Sequence, residues 1–451
     1  MNALPNRLIM FLIPLLLLVA CGGGGGNGMG STSMTPPGGG GGSGMGSPSM
    51  GTPGGGGGSM GSPSMGTPGM GSTATATPQN SFSTGAISGF GSVIVNGVHW
   101  SDDPSVQITL DDDPGTKNDL RVGMVVEVEG DDNGNGTGKA RKIRFENIAR
   151  GPVESVNGST LVVLGQTVDV MSGATVFDNV ADLAGIKTGD IVAVSGWFDN
   201  LDKTMPNNIK ARRIEKEPLP FSGVLKVKGF VKSLDSAGRT FKINDLVVDF
   251  GTAQFPNGSA GSLGDGLFVD VRTHALRVPP KGTLVAETIK IKEARPCPTE
   301  GVQVEVEGII SDLNAGAKTF TVGGIPVDAH AIDISGLANG MKIELKGTFV
   351  NGVLVVSANA EVEREMEARV KIEALVQATD TTGRTITLLG KTVKVTAMTQ
   401  FIDDALAMHT FGLKDIGLND AVRVRAFEDS SGNLVAVKVI RLPLLLQQVV
   451  L

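Results

Sequence analysis

The run Asp131-Asp132-Asn133-Gly134-Asn135-Gly136 puts oxygen-bearing side chains at alternate positions ahead of a glycine, as the opening of a calcium loop does. Asp131, Asn133 and Asn135 would donate oxygens there, and a bidentate glutamate at the twelfth position would complete the shell. Lys142 occupies that position. A shell without its strongest carboxylate binds weakly, so the run reads as a tight turn between two strands. Weak calcium binding aided by Asp111, Asp112 and Asp113 stays open as an alternative. The four histidines, His99, His274, His330 and His409, fall in different parts of the chain with no His-x-x-His pair and no serine elbow. Single histidines without a converging cluster read as surface or strand residues. No catalytic residue, metal ligand or cofactor is assigned. Carboxylate pairs remain open, because any two can meet in space.

Two other residue types could carry chemistry. Met29, Met34, Met45, Met50, Met60, Met65 and Met70 lie before residue 80. Thioethers bind Cu(I), yet these recur mostly five apart inside a copied unit with no histidine among them, which points to duplicated linker; a copper-responsive tether is the alternative. The two cysteines are Cys21 and Cys297. Cys21 ends "MNALPNRLIMFLIPLLLLVAC", in which Arg7 is followed by an apolar core from Leu8 to Ala20. That core is too short to span a bilayer and suits a cleaved export signal. Leu18-Val19-Ala20-Cys21 resembles the lipobox of bacterial lipoproteins. The resemblance implies cleavage before Cys21, acylation of its thiol and amine, and anchoring to a membrane through the acyl chains. Gly22 after it resembles outer-membrane sorting. Cys297, in "ARPCPTEG", is then expected to be a free thiol.

Composition narrows the function classes. The net charge is −7 and aromatics make up 4% with no tyrosine, which opposes nucleic acid as a partner. The acidity is local. Between Asp102 and Asp132 ten acids face only Lys117 and Arg121, so the remaining chain is close to neutral. A block of this kind reads as solvated loops, with a divalent-cation patch as the sharper alternative.

The elements that would position any of these residues come from a repeat. Residues 22–80 are Gly-, Ser-, Met- and Pro-rich without apolar periodicity, a disordered tether. From residue 85 three signatures recur in order. The first is an apolar hairpin: "VNGVHW", "VLGQTV", "INDLVV", "VGGIPV" and "LLGKTV". The second is "GMVVEVEG", "GDIVAVSG", "GLFVDVRT", "GMKIELKG" and "NDAVRVRA". The third, Ala-x-x-Ile/Val, begins at Ala140, Ala211, Ala286 and Ala436 and blurs near Ala358. Period-two alternation makes these strands, and Asn-Gly or Gly-Gly supplies hairpin turns. Gly123, Gly189, Gly266 and Gly340 allow a sharp reversal before the second signature. A short helical turn is expected between hairpin and strand.

The order "GPVESVNGSTLVVLGQTVDV…GDIVAVSGWF…IKARRI", and again from "EALVQATD" to "VKVIRL", resembles domain-of-unknown-function family 5666, over roughly residues 85–441. Tandem copies of that family occur in bacterial envelope proteins, and the resemblance implies no catalytic residues. The expected fold is all-β: a tandem array of five small five-stranded, OB-like barrels after a disordered Gly-rich linker. The boundaries are a signal peptide at 1–20, a lipid-anchored linker at 21–84, and modules at 85–149, 150–218, 219–295, 296–366 and 367–441. Residues 442–451 would start an incomplete sixth. "EKEPLPFSG" and "EARPCPTEG" are expected to bend. The expected function is a non-catalytic binding or scaffolding array on the outer membrane, facing periplasm or cell surface, with an envelope protein or polysaccharide as partner. A calcium- or copper-responsive binding protein and a glycan-acting enzyme are the alternatives.

Overall fold

A computed structural model describes residues 78–443 apart from 91, 102, 275–282, 359, 361, 366–367, 407–410 and 430. The signal segment, Cys21, the tether to residue 77, His409 and residues 444–451 lie outside the described residues. Among the described residues every element is a strand or a three-residue 3-10 turn, as the alternating pattern requires.

The first segment supplies β1 (Gln79–Phe90), β2 (Val93–Val95), β3 (Val98–Ser101), β4 (Gln107–Leu110), β5 (Asp113–Gly115), β6 (Val125–Asp132) and β7 (Thr137–Phe145). The second holds β8 (Ala149–Asn157), β9 (Thr160–Val163), β10 (Gln166–Val170), β11 (Val176–Asp178), β12 (Ile191–Phe198) and β13 (Ile209–Lys216). The third holds β14 (Val224–Phe230), β15 (Lys232–Asp235), β16 (Thr240–Ile243), β17 (Leu246–Asp249), β18 (Phe268–His274), β19 (Thr283–Val285) and β20 (Thr288–Ile291). The fourth holds β21 (Gln303–Asn314), β22 (Thr319–Val322), β23 (Ile325–Asp328), β24 (Lys342–Val350) and β25 (Val353–Val356), followed by β26 (Glu363–Glu365). The fifth holds β27 (Val370–Asp380), β28 (Thr385–Leu388), β29 (Lys391–Asp403), β30 (Ala421–Glu428) and β31 (Leu434–Arg441).

One circuit of pairings recurs. The first strand pairs with a hairpin, whose second arm runs parallel to the last strand. The last strand pairs antiparallel with the one before it, which returns to the first. In the fifth segment the order β27-β28-β29-β31-β30 closes as a barrel. The same pairings join β1, β2, β3, β7 and β6. They also join β8, β9, β10, β13 and β12, and β21, β22, β23, β25 and β24. In the third segment the circuit is divided between two sheets, with breaks between β14 and β15 and between β19 and β20. Strands β4, β5 and β11 go beyond the expected five; β4 and β11 lie parallel to the last strand of their segment.

The signatures have local causes. The hairpin turn Asn96-Gly97 has φ of 52° and 71°, the left-handed pair that suits the twist of two antiparallel strands. The Ala-x-x-Ile spacing would put its two ends on opposite faces of a regular strand. A bulge resolves this. Gly130 lies opposite Ala140 while Glu129 lies opposite Lys142, so Arg141 is the extra residue. In the second segment the same shift makes Arg212 the extra residue. Ala140 and Ile143, like Ala211 and Ile214, therefore both point inward and are fully buried. The glycine ending the second signature follows from the same geometry: a Cβ on Gly196 would sit 2.0 Å from the Lys210 carbonyl oxygen.

The segments are not strung out. The first half of β1 pairs in parallel with β21, Ser81 opposite Gln303 through Thr84 opposite Val306. β8 pairs antiparallel with β14, Ala149 opposite Val227 and Arg150 opposite Lys226. One apolar core runs through the second and third segments from Ile148 to Ile289, taking in Leu164, Phe241 and Leu246. The first, fourth and fifth segments keep separate cores. The stretch "EKEPLPFSG" is thus bridged by a shared sheet and core, which replaces the bending expected there.

Candidate functional site

Side chains of unusual chemistry gather at two junctions. The first is built by the β4–β5 hairpin. Leu110 pairs with Asp113, leaving Asp111 and Asp112 as the two turn residues, with φ of 52° and 73°. Aspartate tolerates this left-handed backbone better than most side chains. The hairpin carries both carboxylates onto the seam of the second and third segments. There Arg150 and Lys226 stand directly opposite one another, an arrangement that destabilises a sheet unless a counter-ion is present. Asp111 is that counter-ion. Its Oδ1 accepts from Lys226 Nζ at 2.6 Å, and its Oδ2 lies 3.3 Å from the Arg150 guanidinium. Asn147 donates through its backbone N–H and its side-chain amide. Only 14% of the Asp111 side chain is exposed.

Asp112 accepts from Lys290, Lys292 and Arg272, each at 2.8 Å. Glu146 accepts from Lys292 at 2.7 Å and from Lys228. Asp270 lies 3.3 Å from Lys226 and 2.8 Å from Arg272. Burial pushes the Asp111 carboxyl up, but Lys226 and Arg150 outweigh it and hold the group down to about 2. For Asp112 burial is likewise overcome, by its hydrogen bonds to Lys290 and Lys292, and the group is held well below the carboxylate range. Burial lowers Lys292, and its bonds to Asp112 and Glu146 reverse this and raise it. Burial, reinforced by Lys226, leaves Lys228 below its ordinary value.

Asp112, Glu146 and Asp270 bring carboxylate oxygens within 4.8 Å of one another. A divalent ion would have to displace ammonium and guanidinium groups already seated on all three, so the donor set does not call for a metal. This corrects two expectations. Asp111 and Asp112 form an internal clamp and are not loop charges in solvent. Glu127 and Glu129 pair with Arg144 and Asp131 with Arg141 in part-exposed contacts, Asp132 pairs with Lys346 of the fourth segment, and Asp103, Asp113 and Asp119 are exposed, as the solvated reading expects. The Asp131–Gly136 run is a turn between β6 and β7, as its residues imply. Asn133 bonds back to Thr137, Asp132 accepts from the Gly134 N–H, and Asn135 accepts from Thr137. Among the described histidines, His99 meets Ser92, His274 meets Glu287 and His330 meets Asp328.

Beside the clamp opens a cleft of about 560 Å³ shared by the first four segments. Trp197, Phe198 and Phe268 form one wall, with the two phenylalanine rings edge to face at 5.8 Å. Asp112, Glu146, Lys228 and Lys292 form its charged floor, and Cys297 stands at the rim. Cys297 is disulfide-bonded, in place of the free thiol expected from the sequence.

The second junction is buried. Arg212, the bulge residue of β13, has a fully buried side chain and reaches Glu365 at 3.0 Å and the Met398 carbonyl at 3.2 Å. The Gln400 amide, oriented to satisfy both neighbours, accepts from Arg212 and donates to the Ala174 carbonyl. Lys342 bonds Glu365 at 2.8 Å, pairs with Glu307 and lies 5.7 Å from the Trp197 ring centre. Glu307 in turn accepts from the Ala86 N–H. Nearby Lys438 donates to the Thr175 carbonyl at 2.7 Å. Burial, with Arg212 alongside, lowers Lys438 to about 7. Sequence reasoning singled out none of these residues. A usable signal existed only for the clamp: Lys226 and Lys228, like Lys290 and Lys292, alternate on one strand face, a basic counterpart to the acidic block.

Comparison with known proteins agrees with the repeat. The model of the family described as Domain of unknown function (DUF5666) matches residues 84–144, 150–215 and 372–440. No curated protein matches the chain. The pairing circuit described above is present in each matched segment, so those three segments are similar to the DUF5666 domain in sequence and share one strand circuit.

Proposed function

We propose that the chain is an exported, lipid-anchored binding scaffold of the cell envelope that works without catalysis, and that the four-segment cleft is where its partner sits. The observation that carries this reading is the cleft itself, an aromatic wall facing a floor whose charges are already paired. Groups already paired within the protein keep hydrogen-bonding capacity toward a polar chain, which suits recognition. An envelope polysaccharide or a protein segment is the partner class. Export is supported by the signal pattern ending at Cys21.

The chain has two cysteines, so the anchored form is the one in which Cys21 carries acyl chains and Cys297 is not bonded to it. Mass spectrometry of the N-terminal peptide from envelope-purified protein checks the anchor: the expected result is a peptide beginning at Cys21 and carrying acyl chains. A Cys21–Cys297 linkage, or retention of the first twenty residues, removes the anchoring proposal. Affinity capture from intact envelopes tests the cleft, comparing the natural chain, a Cys21→Ser control and a Leu201→Arg variant that fills the cleft. Leu201→Arg is expected to lose the partner while remaining anchored. Equal capture by both anchored forms would sink the cleft reading.

A further inference from the structure

Four of the five first strands spend the outer edge of their first half on another segment: β1 on β21, and β8 on β14. The fifth, β27, is the exception. Val370 to Leu375 pair with β30 on one side, β28 is met only from Val376 onward, and no described strand lies along the other edge. Lys371 is 47% exposed at its side chain, and Ile372 is half-buried on a strand whose equivalents are covered.

We infer that this edge docks a second copy of the chain, β27 against β27, in an antiparallel pair about a two-fold axis at Ile372. The register follows from the internal precedent. The residue opposite the second position after the turn glycine is Pro152 in the second segment and Phe230 in the third. In the fifth segment, where Asn419 takes the glycine's place, it is Leu375. Counting back from these, Ala149 and Val227 both correspond to Ile372, Arg150 to Glu373 and Lys226 to Lys371. The antiparallel seam pairs Ala149 with Val227 and Arg150 with Lys226. Carried over, it sets Ile372 against Ile372 of the second copy and Lys371 against Glu373, twice by symmetry. The internal seam opposes two cations, which Asp111 bridges and Glu217 and Asp270 also neutralise. The intermolecular seam opposes a cation to an anion and needs no third group. A strand meeting its own copy antiparallel makes a closed, isologous contact, so the result is a dimer and not a fibre.

Sedimentation of the full chain tests this. The natural chain is expected to dimerise. Lys371→Glu and Glu373→Lys each place like charges opposite one another and weaken the dimer by roughly tenfold. An equimolar mixture of the two variants restores dimers, because each supplies the charge the other lacks, and that recovery also shows that both variants fold. A natural chain that stays monomeric, whether residues 444–451 cover the strand or its charges merely blunt the edge, overturns the inference. So does a mixture that fails to recover.

Discussion

At the scale of single residues, two buried ionisable groups make stability rise with pH in two different windows. Asp111 is held at about 2 by Lys226 and Arg150 after burial has pushed the other way. Its folded value lies below its unfolded one, so its contribution is complete above the unfolded value near 3.8 and is lost as pH falls through 2. Asp111→Asn is expected to cost about 2 kcal/mol in urea unfolding at pH 7, and much less at pH 2. Lys438 has the same sign in a higher window, with burial penalising its charged form in place of partners favouring it. Burial and Arg212 lower it to about 7, so between pH 7 and 10.5 the unfolded chain binds more protons and stability rises with pH. The slope is at most about 1.4 kcal/mol per pH unit. Lys438→Met should flatten it, as unfolding midpoints measured across that window would show.

Within the elements, the repeat signatures were legible because their causes are local. The left-handed turn at Asn96-Gly97, the reversal at Gly123 with φ of 85°, and the 3-10 turns Lys117–Asp119, Leu183–Gly185, Ala260–Ser262 and Leu413–Asp415 all appear where the sequence places them. The bulge was legible only as an unexplained three-residue spacing, because strand periodicity alone does not distinguish an inserted residue from a mismatch. Gly196 tests its necessity. Gly196→Ala forces a Cβ against the Lys210 carbonyl and is expected to cost about 2 kcal/mol or more. Gly158→Ala, whose Cβ meets nothing within 4 Å, pays only the strain of its positive φ and should cost roughly 1 kcal/mol. Chemical denaturation of the two variants checks the order.

Across the whole molecule, the arrangement of the segments left almost no trace in the sequence. Lys226 lies 115 positions from Asp111, and Glu365 lies 153 from Arg212. No local pattern links such partners, so two acids of a block that reads as solvated, Asp111 and Asp112, prove to form a clamp. Only the charge balance between halves hinted at it. The buried network gives a direct measure of how far the segments depend on each other. Glu365→Gln leaves Arg212 and Lys342 short of a counter-charge in a dry junction and is expected to cost about 3 kcal/mol. The fourth and fifth segments should then resist heat less well, as hydrogen exchange resolved by segment would reveal. Little change in any segment would mean that Glu307 and the Trp197 ring suffice for Lys342.

The hairpin that delivers Asp111 has a consequence for how such a chain could have arisen. Duplication yields interchangeable beads, which can be shuffled, lost or added without penalty. Once one bead grows a tip that quenches the repulsion between two others, their order is locked. The second and third copies can no longer be excised as a pair without losing the one carboxylate that bridges Arg150 and Lys226, which is encoded thirty-odd residues before either begins.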